Sequence, residues 1–124
     1  MGAAEDAAWR ATYLLQSEVS LLNGWGRELR RTFGETAYLV GSALERRDHR
    51  DVDVRIMLDD QHYDDLAKVI DLETLNLSLS LWGQKATGLP IDCQVQHTSS
   101  ANEDFHGRRH PIGRENPKAL ERAA

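Results

Sequence analysis

From Asp51 to Leu58 the chain reads Asp-Val-Asp-Val-Arg-Ile-Met-Leu, with charged residues alternating against aliphatic ones. A period of two over this length predicts a strand over 52–58 with two unlike faces. Val52, Val54 and Ile56 belong to an apolar face, and Asp51, Asp53 and Arg55 to the opposite one. Residues two apart on a strand lie about 6.6 Å from each other on the same face. Two carboxylates held that way repel by roughly 2–4 kcal/mol at about 4–7 Å and an effective dielectric near 20. The apolar face explains itself as core, whereas the acidic face calls for a counter-charge.

Oxygen donors with no cysteine or histidine beside them suit Mg²⁺ or Mn²⁺ rather than zinc. Upstream, Ala37-Tyr38-Leu39-Val40 is a short apolar run, read as a strand over 36–40, that ends in Gly41-Ser42. A glycine there leaves backbone N–H groups and a hydroxyl open to a phosphate. A phosphate cradle beside paired carboxylates is the layout of phosphoryl or nucleotidyl transfer.

Val40-Gly41-Ser42, eight residues, then Asp51-Val52-Asp53-Val54 resembles the signature of the DNA polymerase β-like nucleotidyltransferase superfamily. Leu89-Pro90-Ile91-Asp92-Cys93-Gln94-Val95 matches the third, strand-borne acid of that family with Asp92. The resemblance covers roughly 25–96 and is closest to the minimal single-domain members. Many of those carry serine before the first aspartate and several carry Ala-Arg-Gly after the Gly-Ser; here those places hold Arg50 and Leu44-Glu45-Arg46. The resemblance implies an α+β fold, a small mixed sheet packed against helices. It implies Asp51, Asp53 and Asp92 as catalytic and metal-binding residues and Gly41 and Ser42 as phosphate-gripping ones. Arg47 and Arg50, in the charged loop beside that site, are candidate nucleotide contacts.

Length and composition agree with one soluble domain. A chain of 124 residues buries roughly two-thirds of its unfolded surface without staples. Forty per cent hydrophobic and 28% charged residues are ordinary for a globule, and a net charge of −5 argues against a general nucleic-acid coat. A single cysteine excludes an internal disulfide framework and suits a reducing compartment. The acidic N-terminus has no signal-peptide core and no apolar run approaches a membrane span, so the expected location is the cytoplasm, with no membrane partner. The five histidines lack zinc-ligand spacing. Dinucleotide and P-loop glycine motifs are also missing.

Along the rest of the chain, apolar residues at Leu15, Val19, Leu22, Trp25, Leu29 and Phe33 predict two helices, or one bent helix, interrupted near Asn23-Gly24 and Gly26 and capped at Gly34. Asp59-Asp60 reads as the start of a helix reaching Ile70, with Leu66, Val69 and Ile70 turned inward. A second helix is expected over 72–86, its stripe made by Leu72, Leu75, Leu79 and Trp82 and widened by Leu77 and Leu81. Ser80 and Gln84 read as ordinary polar-face residues. A third strand over 91–96 turns Asp92 and Gln94 one way and Cys93 the other, which makes Cys93 core. Residues 1–98 are read as the nucleotidyltransferase-like domain and 99–124 as a basic loop and tail. Arg108, Arg109, Arg114, Lys118 and Arg122 make that tail basic, either for solubility or as an arm closing over a polyanionic substrate.

The expected activity is therefore metal-dependent transfer of a nucleoside monophosphate from an NTP to an acceptor hydroxyl, releasing pyrophosphate. The acceptor stays open between a protein side chain, an RNA 3′ end and a small molecule such as an aminoglycoside. The alternative is a non-catalytic nucleotide-binding or protein-interaction module of the same fold, working with a partner chain or as a homo-oligomer.

Overall fold

Alternation does place a strand at β2, Val52–Leu58, whose residues are buried and half-buried by turns along its whole length. A computed structural model describes residues 13–45, 51–104 and 108–114. In chain order, α1 (Gln16–Phe33) leads to β1 (Ala37–Val40), then α2 (Ser42–Glu45) and β2. Next come α3 (Asp60–Val69), α4 (Leu72–Thr87), β3 (Ile91–His97), α5 (Thr98–Asp104) and β4 (His110–Ile112). The fold is α+β, with a four-stranded mixed sheet in the order β3-β2-β1-β4 and helices packed on it. β1 runs antiparallel to both β2 and β4, and β2 runs parallel to β3. A parallel pair needs a long crossover, and α3 and α4 supply it.

The caps follow from local chemistry. Asp59 accepts a hydrogen bond from the backbone N–H of His62 at 2.9 Å, and Asp71 does the same for Thr74 at 3.2 Å. Gly34 and Gly88 close α1 and α4 in the left-handed conformation. The core lies between the sheet and the helices, where Leu22, Trp25 and Leu29 of α1 and Leu79 of α4 meet Leu39, Val54, Ile56 and Cys93. Trp25 and Trp82 meet edge to face, ring centroids 6.1 Å apart. No described helix is long and apolar enough to cross a membrane.

Four expectations change. First, α1 runs unbroken through Asn23-Gly24 and Gly26. Those residues serve β4 instead. A Cβ on Gly26 would lie 2.9 Å from the backbone of Ile112 and Gly113, so only glycine lets β4 come this close. Asn23 Oδ1 accepts from the Gly113 N–H at 3.0 Å. Second, the stretch read as loop contains α5 and β4, with Ala101 and Ile112 buried. A three-residue strand containing proline carries no periodic signal, and tertiary contacts hold it. Residues 115–124 lie outside the described residues, as do 1–12. Third, Val69 and Ile70 are exposed, at 82% and 41%; of the three residues expected to face inward only Leu66 packs against the core, joined there by Tyr63.

The fourth change concerns α4, which lies along the free edge of β3. Gln84 Nε2 donates to Ile91 O at 3.1 Å, and Ser80 Oγ accepts from Cys93 N at 2.8 Å and donates to Cys93 O at 3.2 Å. Asn76 Oδ1 accepts from Val95 N at 2.9 Å. Asn76, Ser80 and Gln84, four residues apart, thus form a side-chain ladder where another strand would otherwise pair. With this line facing the strand edge, Leu77 and Leu81 are turned outward and exposed. Ser80→Ala would leave the Cys93 N–H without its acceptor. It is expected to lower unfolding free energy by about 1–3 kcal/mol in urea denaturation, while a surface change such as Ser78→Ala costs less.

Candidate functional site

Register decides which acids meet. On the open sheet face, Val40 pairs with Asp53 and Asp53 with Asp92, so the turn after β1, the start of the acidic strand and the third acid share one row. Asp51 stands exposed just before β2. The parallel pairing of β2 with β3 therefore unites two acids 39 residues apart in sequence.

Gly41 has φ +77°, and a Cβ there would fall 2.5 Å from Asp53 Oδ2. The left-handed backbone requires glycine, and a side chain there would also push the Asp53 carboxylate aside. Ser42 opens the single turn of α2, which is tied by the Leu44 N–H to Gly41 O at 3.1 Å and by the Tyr13 N–H to Ala43 O at 2.9 Å.

Between the carboxylates lies Arg55. Its Nη1 donates to Val54 O at 2.9 Å and to Asp92 O at 2.8 Å. Its Nη2 stands 3.5 Å from Asp92 Oδ2 and 3.9 Å from Asp53 Oδ1. With a side chain only 14% exposed, this guanidinium is part of the sheet surface and the counter-charge that the acidic face demands. Sequence alternation put Arg55 on the right face, but only the parallel neighbour reveals that it spans both acids.

Burial raises Asp53 above the ordinary carboxylate range. Arg55 opposes that rise, while Asp92 and Asp51 add to it by like-charge repulsion. The Cys93 thiol, on the core side of β3, is pushed by burial up to about 12, so it stays protonated and is no nucleophile. Of the residues singled out from sequence, Gly41, Asp53 and Asp92 come together, with Ser42 and Asp51 at the margin. Arg47 and Arg50 lie outside the described residues.

Among the described residues, no three histidine, cysteine, aspartate or glutamate side chains converge as a metal-ligand cluster. The donor chemistry nevertheless suits a hard divalent cation, since all three acids offer oxygen alone. The pressure on Asp53 is also the kind that added positive charge relieves. Compared with protein-family models, curated proteins and solved structures, the chain gave no match.

A carboxyl whose folded pKa is raised binds its proton more tightly in the native state than in the unfolded one. Its ionisation therefore removes stability as pH rises from the unfolded value, near 3.8, through the folded one. Asp53→Asn is expected to raise the melting temperature at pH 7. That gain should vanish when both proteins are melted below the ordinary carboxylate pKa, where Asp53 is protonated in either state.

Proposed function

We propose that the chain is a metal-dependent nucleotidyltransferase that moves a nucleoside monophosphate from an NTP to an acceptor hydroxyl. The observation that carries this reading is the row of Val40, Asp53 and Asp92, with Gly41 directly after Val40 and so close to Asp53 that a Cβ on it would fall 2.5 Å from the carboxylate. Gly41 and Ser42 receive the terminal phosphates through backbone N–H groups and a hydroxyl. The acceptor oxygen attacks the α-phosphorus, and the bond to the β-phosphate oxygen breaks as the new P–O bond forms. Pyrophosphate leaves with that electron pair. The acceptor's proton passes to Asp92, the more exposed of the paired carboxylates, with side chains 42% and 25% exposed for Asp92 and Asp53. Mg²⁺ or Mn²⁺ held by Asp51, Asp53 and Asp92 would supply charge neutralisation at the attacking and leaving oxygens. The acceptor remains a protein side chain, an RNA 3′ end or a small molecule.

Arg55 favours a second reading. A guanidinium already bridging Asp53 and Asp92 balances the acids without a metal. On that reading the same site holds a nucleotide without turnover, as a binding module that acts through a partner chain or as a homo-oligomer.

Calorimetric titration with each NTP, with and without Mg²⁺, separates the possibilities. Metal-dependent binding is expected in the wild type and should weaken at least about tenfold in Asp53→Asn. Gly41→Ala should lose it as well, since the new methyl meets the Asp53 carboxylate. Binding of equal strength in wild type and Asp53→Asn would overturn the carboxylate assignment. Metal-dependent binding with no pyrophosphate released towards any acceptor class selects the non-catalytic reading.

A further inference from the structure

The open sheet face has a second end. Thr36, Tyr38 and Met57 line a cleft of about 420 Å³ walled by Thr98 and Asn102 of α5 and by Arg109 and Arg114, with Glu35 at its rim. Met57 lies four residues beyond Asp53 on β2, so the cleft floor is about 13 Å along the strand from that carboxylate. The two places share a face but not a set of side chains.

The lining is chemically sorted. Tyr38 and Met57 offer a half-buried ring and a thioether, a polarisable floor on which a flat heterocycle stacks. Thr36 offers a hydroxyl and Asn102 its amide NH2 to the edge of such a ring, while Thr98 Oγ1 already donates to Leu58 O at 2.5 Å. Arg114 is exposed on the wall and is free to turn towards an anion. Arg109 beside it is held in place, its Nη1 on Asn102 Oδ1 at 2.9 Å and its Nη2 on Ala101 O at 3.1 Å. Two guanidiniums against one carboxylate make this lining positive by formal charge, in a chain whose net charge is −5. The excess suits one phosphate group, and the Glu35 carboxylate disfavours a triphosphate.

We infer that this cleft is a nucleoside monophosphate site, with the base over Tyr38 and Met57 and the phosphate on Arg114. The same chemistry is offered by a free nucleotide and by one link of a single-stranded nucleic acid. The inference stands apart from the transfer reading, because it uses neither the carboxylates nor a metal.

The test is titration of the full chain with 5′-AMP, 5′-UMP and a single-stranded oligoadenylate, in EDTA. Wild type is expected to bind at millimolar concentration or below without metal. Arg114→Glu should weaken binding about tenfold or more and Arg114→Ala less, with circular dichroism unchanged because Arg114 is exposed. Asp53→Asn should bind as wild type does, so loss of NTP binding in that variant would leave this inference standing. Tighter and salt-sensitive binding of the oligomer identifies a strand as the source, and equal binding of the mononucleotide identifies a free nucleotide. No binding of any of the three probes, or equal affinity in wild type and Arg114→Glu, overturns the inference.

Discussion

The Arg55 guanidinium lies where two parallel strands carry their acids into one row, and the open face depends on it. Unpaired, Asp53 and Asp92 would leave the starts of β2 and β3 under like-charge repulsion with partial burial added. Arg55 answers with two hydrogen bonds to main-chain carbonyls and contacts to both carboxylates. Its hydrogen bond to Asp92 O also fastens β3 to β2, so charge balance and strand register support each other. The balance is partial, since Asp53 remains raised. Added positive charge beside Asp53 would relieve what Arg55 leaves unbalanced.

Both edges of the sheet are tied to helices. On one side Asn76, Ser80 and Gln84 of α4 occupy the hydrogen-bonding groups of β3. On the other, β4 covers β1 and is held to α1 by Asn23 and the bare strip of Gly26. Arg108 reinforces that side by donating to Leu44 O, next to the Gly41 turn. The second end of β3 is secured too, with His97 Nδ1 at 2.8 Å from Asp60 Oδ1 and Ser99 bound to the same carboxylate. Ser99 holds Asp60 below the usual carboxylate range, so that clasp persists when the medium is mildly acidic. The open face, by contrast, keeps its carboxylates partly accessible, with side chains 42% exposed for Asp92 and 25% for Asp53.

Much of this was readable from residue order alone. Alternation placed β2 and its acidic face, and short-range capping chemistry placed the start of α3 and the end of α1. Gly41 was legible as a turn glycine, though not as a residue pressed against Asp53. Asn23, Gly26, Ser80 and Gln84 were misread because their partners are distant in sequence. A helix glycine or a serine on a polar face looks the same whether it faces water or another strand. For the same reason α5 and β4 left no periodic trace, and Arg109 and Arg114 showed only as scattered basic charge.

The sequence by itself determined the elements whose signals are local: the period-two strand, the capped helices, the apolar sets for the core and the acids available for a site. Tertiary structure decided which acids met. Only parallel pairing across a two-helix crossover sets Asp53 beside Asp92, and only that pairing seats Arg55 between them. The physical reason is range. Propensity and capping act over three or four residues, whereas the row of acids and the cleft at its far end are built from residues up to 79 positions apart, Glu35 to Arg114, brought together by burial of a shared core.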